Sequence, residues 1–391
     1  MQLKSELEFK IERVQELLGK ARVDGWLLYE WQGQNPLCLD FLQAKAATRR
    51  FFYFIPTQGI PIKIVHQIEQ DVLDHLPGKK CVYLSYTELE DLLKATLDKT
   101  KVVVMEVSEK NRLPYVSKVD SGTVDLVRSF NVKVQTSAYI VQLFKTLDKT
   151  QIEHHRQAMH VLEQSVQKCI ERIRLGNANE YEIQQLILEQ FEKNGVETHF
   201  PPIVAVNENG ANPHYFPTQK NARTIKEGDL VLIDLWGKRQ VDKGIYADIT
   251  QMVFYGKKPT EKMIEIFTIV KKAQTKALEL IKERLDVNQP ILGYEVDQAA
   301  RNEIKKAGYG KYFIHRLGHN IDENDHGSGA HLDSLETKDD RPLVPNTIFS
   351  IEPGIYIPNE IGVRLECNAF IDEHQQLHVT GGLQGEIFTT A

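Results

Sequence analysis

Two stretches of this chain repeat one another. Tyr181-Glu182-Ile183 leads to Gly195 and Tyr294-Glu295-Val296 leads to Gly308, so both ends recur 113 residues later, 294 against 181 and 308 against 195. Each stretch has helical apolar spacing and ends on glycine, the residue that most readily takes the left-handed turn closing a helix. Each also follows a longer amphipathic helix. In the first, Ile152, His155, Met159, Leu162, Val166, Cys169, Ile170 and Ile173 form one stripe; in the second, Met263, Ile266, Phe267, Val270, Ala273, Ala277, Leu280 and Ile281 do so. A β-hairpin pattern bearing two acids follows each helix pair. Leu230, Leu232, Asp234 and Trp236 share a strand face, Gly237 to Gly244 turns the chain, and Tyr246, Asp248 and Thr250 share a face of the return strand. Ile348, Ser350 and Glu352 share a face, Pro358-Asn359-Glu360 turns, and Arg364, Glu366 and Asn368 return. The acids stand 14 residues apart in both hairpins, 248 against 234 and 366 against 352. Two helix-helix-hairpin halves imply a pseudo-twofold domain in which two acidic hairpins face one centre.

The first third reads differently. Leu7, Ile11, Val14, Leu17 and Leu18 follow helical spacing, and Trp26 to Tyr29 then reads as a strand. Further strands are expected at Phe51 to Ile55, Ile62 to Val65, Cys81 to Tyr86 and Val102 to Val107, with helices at Glu88 to Leu97 and around Val124 to Arg128. This is an α/β pattern without a cluster of metal ligands or catalytic pairs. The character changes near Leu147-Asp148-Lys149-Thr150, where the first long helix begins and no Gly/Ser-rich or Pro-rich linker intervenes.

Composition narrows the setting. The 391 residues are 41% hydrophobic and 26% charged, which excludes a disordered or collagen-like chain. Forty-eight Lys and Arg against 54 Asp and Glu give a net charge of −6 with no long basic run, so nucleic acid is not an expected partner. Cys38, Cys81, Cys169 and Cys367 lie far apart with no CxxC pair, which fits a reducing compartment. The opening decapeptide from Met1 to Lys10 alternates charged and apolar residues without a signal-peptide core, and no later run is long and apolar enough to span a bilayer. A cytoplasmic protein without membrane contact is expected.

One aspartate in an apolar strand is usually a hydrogen-bonded structural acid. Four carboxylates on the inner faces of two apolar hairpins are a different matter, since they repel and lose hydration unless cations lie between them. Arg364 offsets one charge only. Two divalent cations would offset all four, and oxygen ligands with one imidazole suit manganese, iron, cobalt or zinc better than copper. Imidazoles concentrate between His315 and His331. His315 and His319 have the spacing of a helical zinc-protease pair, but no Glu follows His315 and Gly318 to Gly329 is too glycine-rich for a helix. On residue type alone His315 and His331 read as surface histidines, and His154, His155, His160, His374 and His378 as structural or solvated ones.

At these residues the sequence resembles the pita-bread metallopeptidases, in particular the Xaa-Pro dipeptidase (prolidase) and Xaa-Pro aminopeptidase group. Asp234, Asp248, His319, Glu352 in Ser350-Ile351-Glu352-Pro353-Gly354, and Glu366 in Val363-Arg364-Leu365-Glu366 are similar to its five-ligand pattern. His315-x3-His319-x6-His326 and Asn212-Pro213-His214-Tyr215 resemble its histidine motifs. The resemblance implies an α+β protein: a creatinase-type α/β domain over 1–147, then a pseudo-twofold pita-bread catalytic domain over 148–391 with a curved antiparallel sheet. It further implies that Asp234 chelates one ion, His319 and Glu352 the other, and that Asp248 and Glu366 bridge them. The ions would be two divalent metals, manganese first, with cobalt, zinc or iron as alternatives. A hydroxide held between them would attack the carbonyl before proline. His214 and His326 would bind substrate and donate to the oxyanion, Glu352 would shuttle the proton, Arg364 would orient a bridging carboxylate or meet substrate, and His315 would contact substrate. The expected substrate is a peptide with proline second, and the expected assembly a homodimer.

Two segments depart from that pattern. The loop between Asp234 and Asp248 is longer by about three residues, which a hairpin tip absorbs, and its charged tip from Lys238 to Lys243 could reach the pocket rim. The stretch from His331 to Arg341, with Asp333, Glu336, Asp339 and Asp340, reads as a solvated acidic loop, or as an entrance lining that would alter substrate preference. A metal-free creatinase-like amidinohydrolase and a catalytically silent peptide- or protein-binding module are the alternatives, and both expect ligands to be lost.

Overall fold

The computed structural model describes residues 6–391, with side chains from residue 9. Met1–Ser5 of the opening segment and the side chain of Leu7 lie outside the described residues. The chain divides into a unit ending at Phe144 and another running from Lys145 to Ala391.

The first unit runs α1 (Glu6–Ala21), β1 (Gly25–Glu30), α2 (Pro36–Leu42), β2 (Phe51–Pro56), β3 (Ile62–His66), β4 (Lys79–Tyr83), α3 (Tyr86–Leu97), β5 (Val102–Met105), α4 (Ser121–Ser129), β6 (Lys133–Thr136) and α5 (Ala138–Val141). Its six-stranded sheet has the order β4-β3-β2-β1-β5-β6. Only β2 runs antiparallel to its neighbours. β1 and β2 read as continuous apolar runs because both sheet faces are covered. Trp26, Leu28, Phe51 and Tyr53 pack with α1 and α2, while Leu27, Tyr29, Phe52 and Phe54 pack with α3 and α4. The strand expected through Tyr86 stops at Tyr83, because the Ser85 hydroxyl accepts from the Glu88 amide at 3.2 Å and opens α3 there.

The second unit begins with the two helix pairs and hairpins that the repeat implies. A capping box of Asp148 and Gln151 starts α6 (Lys149–Arg174), which is followed by α7 (Glu180–Lys193), β7 (Val196–Glu197), β8 (Ile203–Val206), β9 (Leu230–Arg239) and β10 (Tyr246–Phe254). The second half has α8 (Glu261–Asp286), α9 (Gly293–Lys306), β11 (Asn320–Ile321), β12 (Ile348–Ile351), β13 (Gly354–Ile357), β14 (Ile361–Arg364) and β15 (Cys367–Ile371), then β16 (Leu377–Thr380) and β17 (Phe388–Thr389). Gly195 and Gly308, after α7 and α9, have φ of 62° and 87°, the left-handed geometry expected of them.

Strand alternation sorts the side chains. In the first hairpin Val231, Ile233, Leu235, Ala247 and Ile249 bury against α6 and α7. In the second, Ile351, Ile355, Val363, Leu365 and Cys367 bury in the core with α8 and α9. The opposite faces carry the acids. β12 pairs with β15 and β13 with β14 in one continuous register, and the ladder breaks only between the two pairs. The hairpins meet where the Glu366 amide donates to the Thr250 carbonyl at 3.2 Å and the Asp248 amide to Asn368 Oδ1 at 2.9 Å.

Candidate metal centre and active site

The four acids and His319 come together beside a cavity of about 570 Å³ whose lining also includes His214, His315, His326 and Arg364. Asp234, Asp248, His319, Arg364 and Glu366 are all buried. Ligand-capable atoms of Asp248, His319 and Glu366 lie within 4.8 Å of one another. His319 Nε2 is 3.3 Å from Glu352 Oε1 and 3.7 Å from Asp248 Oδ2. Its Nδ1 is 3.3 Å from the Asn320 carbonyl, which fixes the tautomer that leaves the Nε2 lone pair facing the acids. Gly318 makes this placement possible, because a Cβ there would run into the Ser350 carbonyl. The Ser350 hydroxyl accepts from the His319 amide at 3.0 Å and donates to Glu352 Oε1 at 3.1 Å, so one residue sets two candidate ligands.

Arg364 is the internal counter-charge. It is hydrogen-bonded through Nη2 to Asp234 Oδ2, donates through Nε to Thr250 Oγ1 at 3.0 Å and through Nη1 to the Tyr356 hydroxyl at 2.9 Å. Thr250 Oγ1 donates in turn to Glu366 Oε2 at 2.8 Å. Arg364 therefore reaches the Asp234 carboxylate directly and Glu366 through Thr250. The other oxygens of the two central acids, Asp248 Oδ1 and Glu366 Oε1, are buried with no hydrogen-bond partner.

Burial and mutual repulsion push Asp248 and Glu366 well above the usual carboxylate range. Burial raises Asp234 as well, against the pull of Arg364, and raises Glu352 to about 7. Burial holds His319 well below its ordinary value, with His326 and Arg316 adding to the effect, so the imidazole is neutral. Orphaned carboxylate oxygens, a neutral imidazole and an excess of acids over one arginine form a donor set that fits hard divalent cations.

Residue reading alone misplaces two histidines. His315 is no surface histidine: its Nε2 lies 2.8 Å from the Tyr356 hydroxyl and burial depresses its pKa to about 3. His331 is fully buried, and its Nδ1 accepts from the Asn320 amide at 3.0 Å, supporting the backbone beside His319. His326 lies over His319 with ring centroids 4.1 Å apart, and its Nδ1 is 3.2 Å from Arg316 Nη2. His214 is exposed on the cavity wall.

The acidic stretch is not a solvated loop. Asp333, Asp339 and Arg341 are fully buried. Arg341 pairs with Asp339 at 2.6 Å and donates to the Ser328 and Gly329 carbonyls, each at 2.7 Å, while Asp333 accepts the Leu335, Glu336 and Thr337 amides, each at 2.9 Å. Of its acids Glu336 alone lines the cavity, with Oε1 taking the Arg316 amide at 2.9 Å. At the first hairpin tip, Lys238 Nζ donates to the Glu323 carbonyl at 2.8 Å, bracing the loop that carries His326. Glu336 is where the entrance-lining alternative put it, and Thr250 was open to detection, since it follows Asp248 by one strand alternation; Tyr356 and Arg316 had no comparable pattern.

This architecture, with two acid-bearing hairpins closing on one histidine, is that of the pita-bread folds. A dipeptidase structure from Mycobacterium ulcerans aligns over 98% of both chains with a TM-score of 0.72 at 19% identity. An X-Pro aminopeptidase structure from Thermotoga maritima aligns over 96% of this chain and 99% of its own, with a TM-score of 0.59 at 25% identity. The model of metallopeptidase family M24 matches residues 153–373, and the chain belongs to that family. Among the relatives, a protein named Xaa-Pro dipeptidase from Lactobacillus delbrueckii subsp. lactis is 35% identical over 58% of this chain and 56% of its own, and one from Lactobacillus helveticus is 40% identical over 45% and 44%. The chain spans about half the length of these two relatives. A third, from Pyrococcus furiosus, is 32% identical over 71% of this chain and 70% of its own.

Proposed function

We propose that this chain hydrolyses the peptide bond between an N-terminal residue and proline, with two divalent cations, manganese first, held by Asp234, Asp248, His319, Glu352 and Glu366. The observation that carries the reading is the pair of buried, unpartnered oxygens Asp248 Oδ1 and Glu366 Oε1 between two further acids and a neutral imidazole. The relatives named Xaa-Pro dipeptidase supply the substrate class. When bound, such cations lower the pKa of water into the working range and polarise a carbonyl.

The protein groups take the remaining work. Asp234, Asp248, His319, Glu352 and Glu366 would hold the ions, with Asp248 and Glu366 central among these ligands. Glu352, an acid on the cavity wall beside His319, would exchange a proton with the reacting oxygen. His326 and His214 donate to the carbonyl oxygen as it gains charge. Arg364 fixes Asp234 and, through Thr250, Glu366, and His315 meets the substrate from the cavity wall. Residues 1–147 serve as a creatinase-type domain and residues 148–391 as the catalytic domain, and the assembly is a homodimer. A cytoplasmic setting agrees with four unpaired cysteines, and no helix among the described residues is long and apolar enough to cross a membrane.

The test is hydrolysis of an alanyl-proline dipeptide and an alanyl-prolyl tripeptide by metal-stripped protein, with and without manganese. Cleavage that returns only with metal is the expected result, and the preferred length separates dipeptidase from aminopeptidase. Two bound metals with neither peptide cleaved would overturn the substrate assignment.

A further inference from the structure

The first unit holds a cavity of its own, of about 530 Å³, that the metal chemistry does not use. It sits at the carboxyl edge of the sheet. Tyr29 and Trp31 lie at the end of β1, His66 ends β3, and Tyr83 ends β4. Arg49 and Arg50 precede β2, whose antiparallel course brings its start to that same edge. After β1 the chain leaves to α2 on one face, and after the neighbouring β5 it passes to α4 on the other. Open α/β sheets place ligands in the crevice outside the carboxyl ends of their strands where connections diverge in this way.

The crevice is lined by Arg49, Arg50, His66 and aromatic rings, with one acid, Asp120, on its wall. Arg50 is partly buried, and its guanidinium has no hydrogen bond or ion pair among the described residues. The Ile68 amide donates to His66 Nδ1 at 3.1 Å, so in the neutral ring Nε2 carries the hydrogen and is a donor. The acids nearby are already engaged. Asp120 accepts the Thr123 amide and hydroxyl, each at 2.8 Å, and Glu69 accepts the Thr48 and Arg49 amides at 2.9 and 2.8 Å. At the mouth Trp31 is 39% and Tyr86 68% exposed, leaving ring faces in water beside a guanidinium without a protein partner among the described residues. Arginine in aromatic surroundings is the usual receiver for a planar oxyanion.

We propose that this cavity binds a small aromatic oxyanion, a carboxylate or phosphate, with the anionic group on Arg50 and His66 and the ring against Trp31 and Tyr86. This site stands apart from the hydrolytic reading and does not depend on it. The test is a fluorescence titration of the full chain with benzoate, phenyl phosphate, inorganic phosphate and benzyl alcohol. Trp26 is buried and Trp31 is at the mouth, so Trp31 is the reporter. Saturable quenching by benzoate or phenyl phosphate is expected, and whichever binds tighter identifies the acid. Inorganic phosphate and benzyl alcohol should each bind at least about tenfold more weakly, and Arg50→Gln should weaken the aromatic anion by about tenfold or more, with Arg50→Lys in between. Trp31→Phe should lose the signal, which separates this cavity from anion binding near Trp236. If Arg50→Gln does not fold, calorimetry on Tyr86→Ala replaces it, with the same weakening expected. No saturation by either aromatic anion, equal binding of inorganic phosphate, or unchanged binding in the folded variant would overturn the proposal.

Discussion

Glu352 and Glu366 stand opposite one another across the second hairpin, in the gap of its ladder between the Ile351–Cys367 and Gly354–Arg364 pairs. In the first hairpin Asp234 opposes Thr250 and Asp248 opposes Trp236. The same spacing along the chain thus gives two different cross-strand relations. Two carboxylates facing each other in a buried gap repel, and that repulsion is part of what raises Glu366.

Removing a central acid should empty the site. Glu366→Ala or Asp248→Ala is expected to lose bound metal and to lower kcat/KM by about three orders of magnitude, the scale of losing metal-borne charge stabilisation. Metal analysis alongside peptide hydrolysis checks both. Full activity in either variant would contradict a centre built on these residues.

His326→Ala should behave differently. Its ring is stacked beside His319 rather than among the acids, so metal should stay bound while kcat falls about a hundredfold, the effect of one lost oxyanion donor. A parallel fall in metal content would make His326 a ligand.

The pH response of the metal-free protein has a definite sign. Burial raises Glu352 from 4.5 to about 7, and raises Asp248 and Glu366 well above their usual range. Folded protein then keeps protons that the unfolded chain has released, so stability falls as pH rises. Buried histidines act the other way: His155 lies at about 4 and His315 at about 3 instead of 6.5, so stability falls as pH drops below 6.5. By about one unit above 6.5 these histidines are largely neutral in both states, and the raised acids, joined at higher pH by the buried cysteines, set the slope. The melting temperature of stripped protein should therefore decline as pH rises above about 7.5, carried by Asp248 and Glu366, and added manganese should reduce the decline. A flat metal-free profile would exclude this account.

Arg341→Met should destabilise the protein by about 3–5 kcal/mol, because it leaves Asp339 buried without its partner. Paired substitution with Asp339→Leu should recover part of the loss. Thermal or denaturant unfolding measures both, and an unchanged midpoint for Arg341→Met would show that the pair carries no stability.

Asp234, Asp248, Glu352 and Glu366 were legible because a period of two, repeated in two hairpins, puts acids where apolar residues belong. His319 needed the family resemblance, since its neighbours His315 and His331 look alike in sequence and differ only in what packs around them. The burial of Asp333 and Asp339 was hidden for a related reason. Acid-rich stretches with glycines look solvated, and one arginine at position 341, two residues from Asp339, is a faint sign of a buried pair. Register was equally unreadable: nothing in the 14-residue spacings tells that Glu352 faces Glu366 while Asp234 faces Thr250. The cavity around Arg50 draws on residues from three strands, two helices and the segment before β2, and no local pattern reports such a convergence.

Arg364 joins Asp234, Thr250 and Tyr356 through bonds the polypeptide makes by itself. The frame of the centre thus rests in part on protein–protein bonds, unlike that of small domains whose fold depends on the metal alone. Loss of an ion should then leave the chain folded, which the unfolding of stripped protein would check. Which element occupies the centre then follows from what the surrounding medium offers after synthesis, and one folded population can carry different metals at different times.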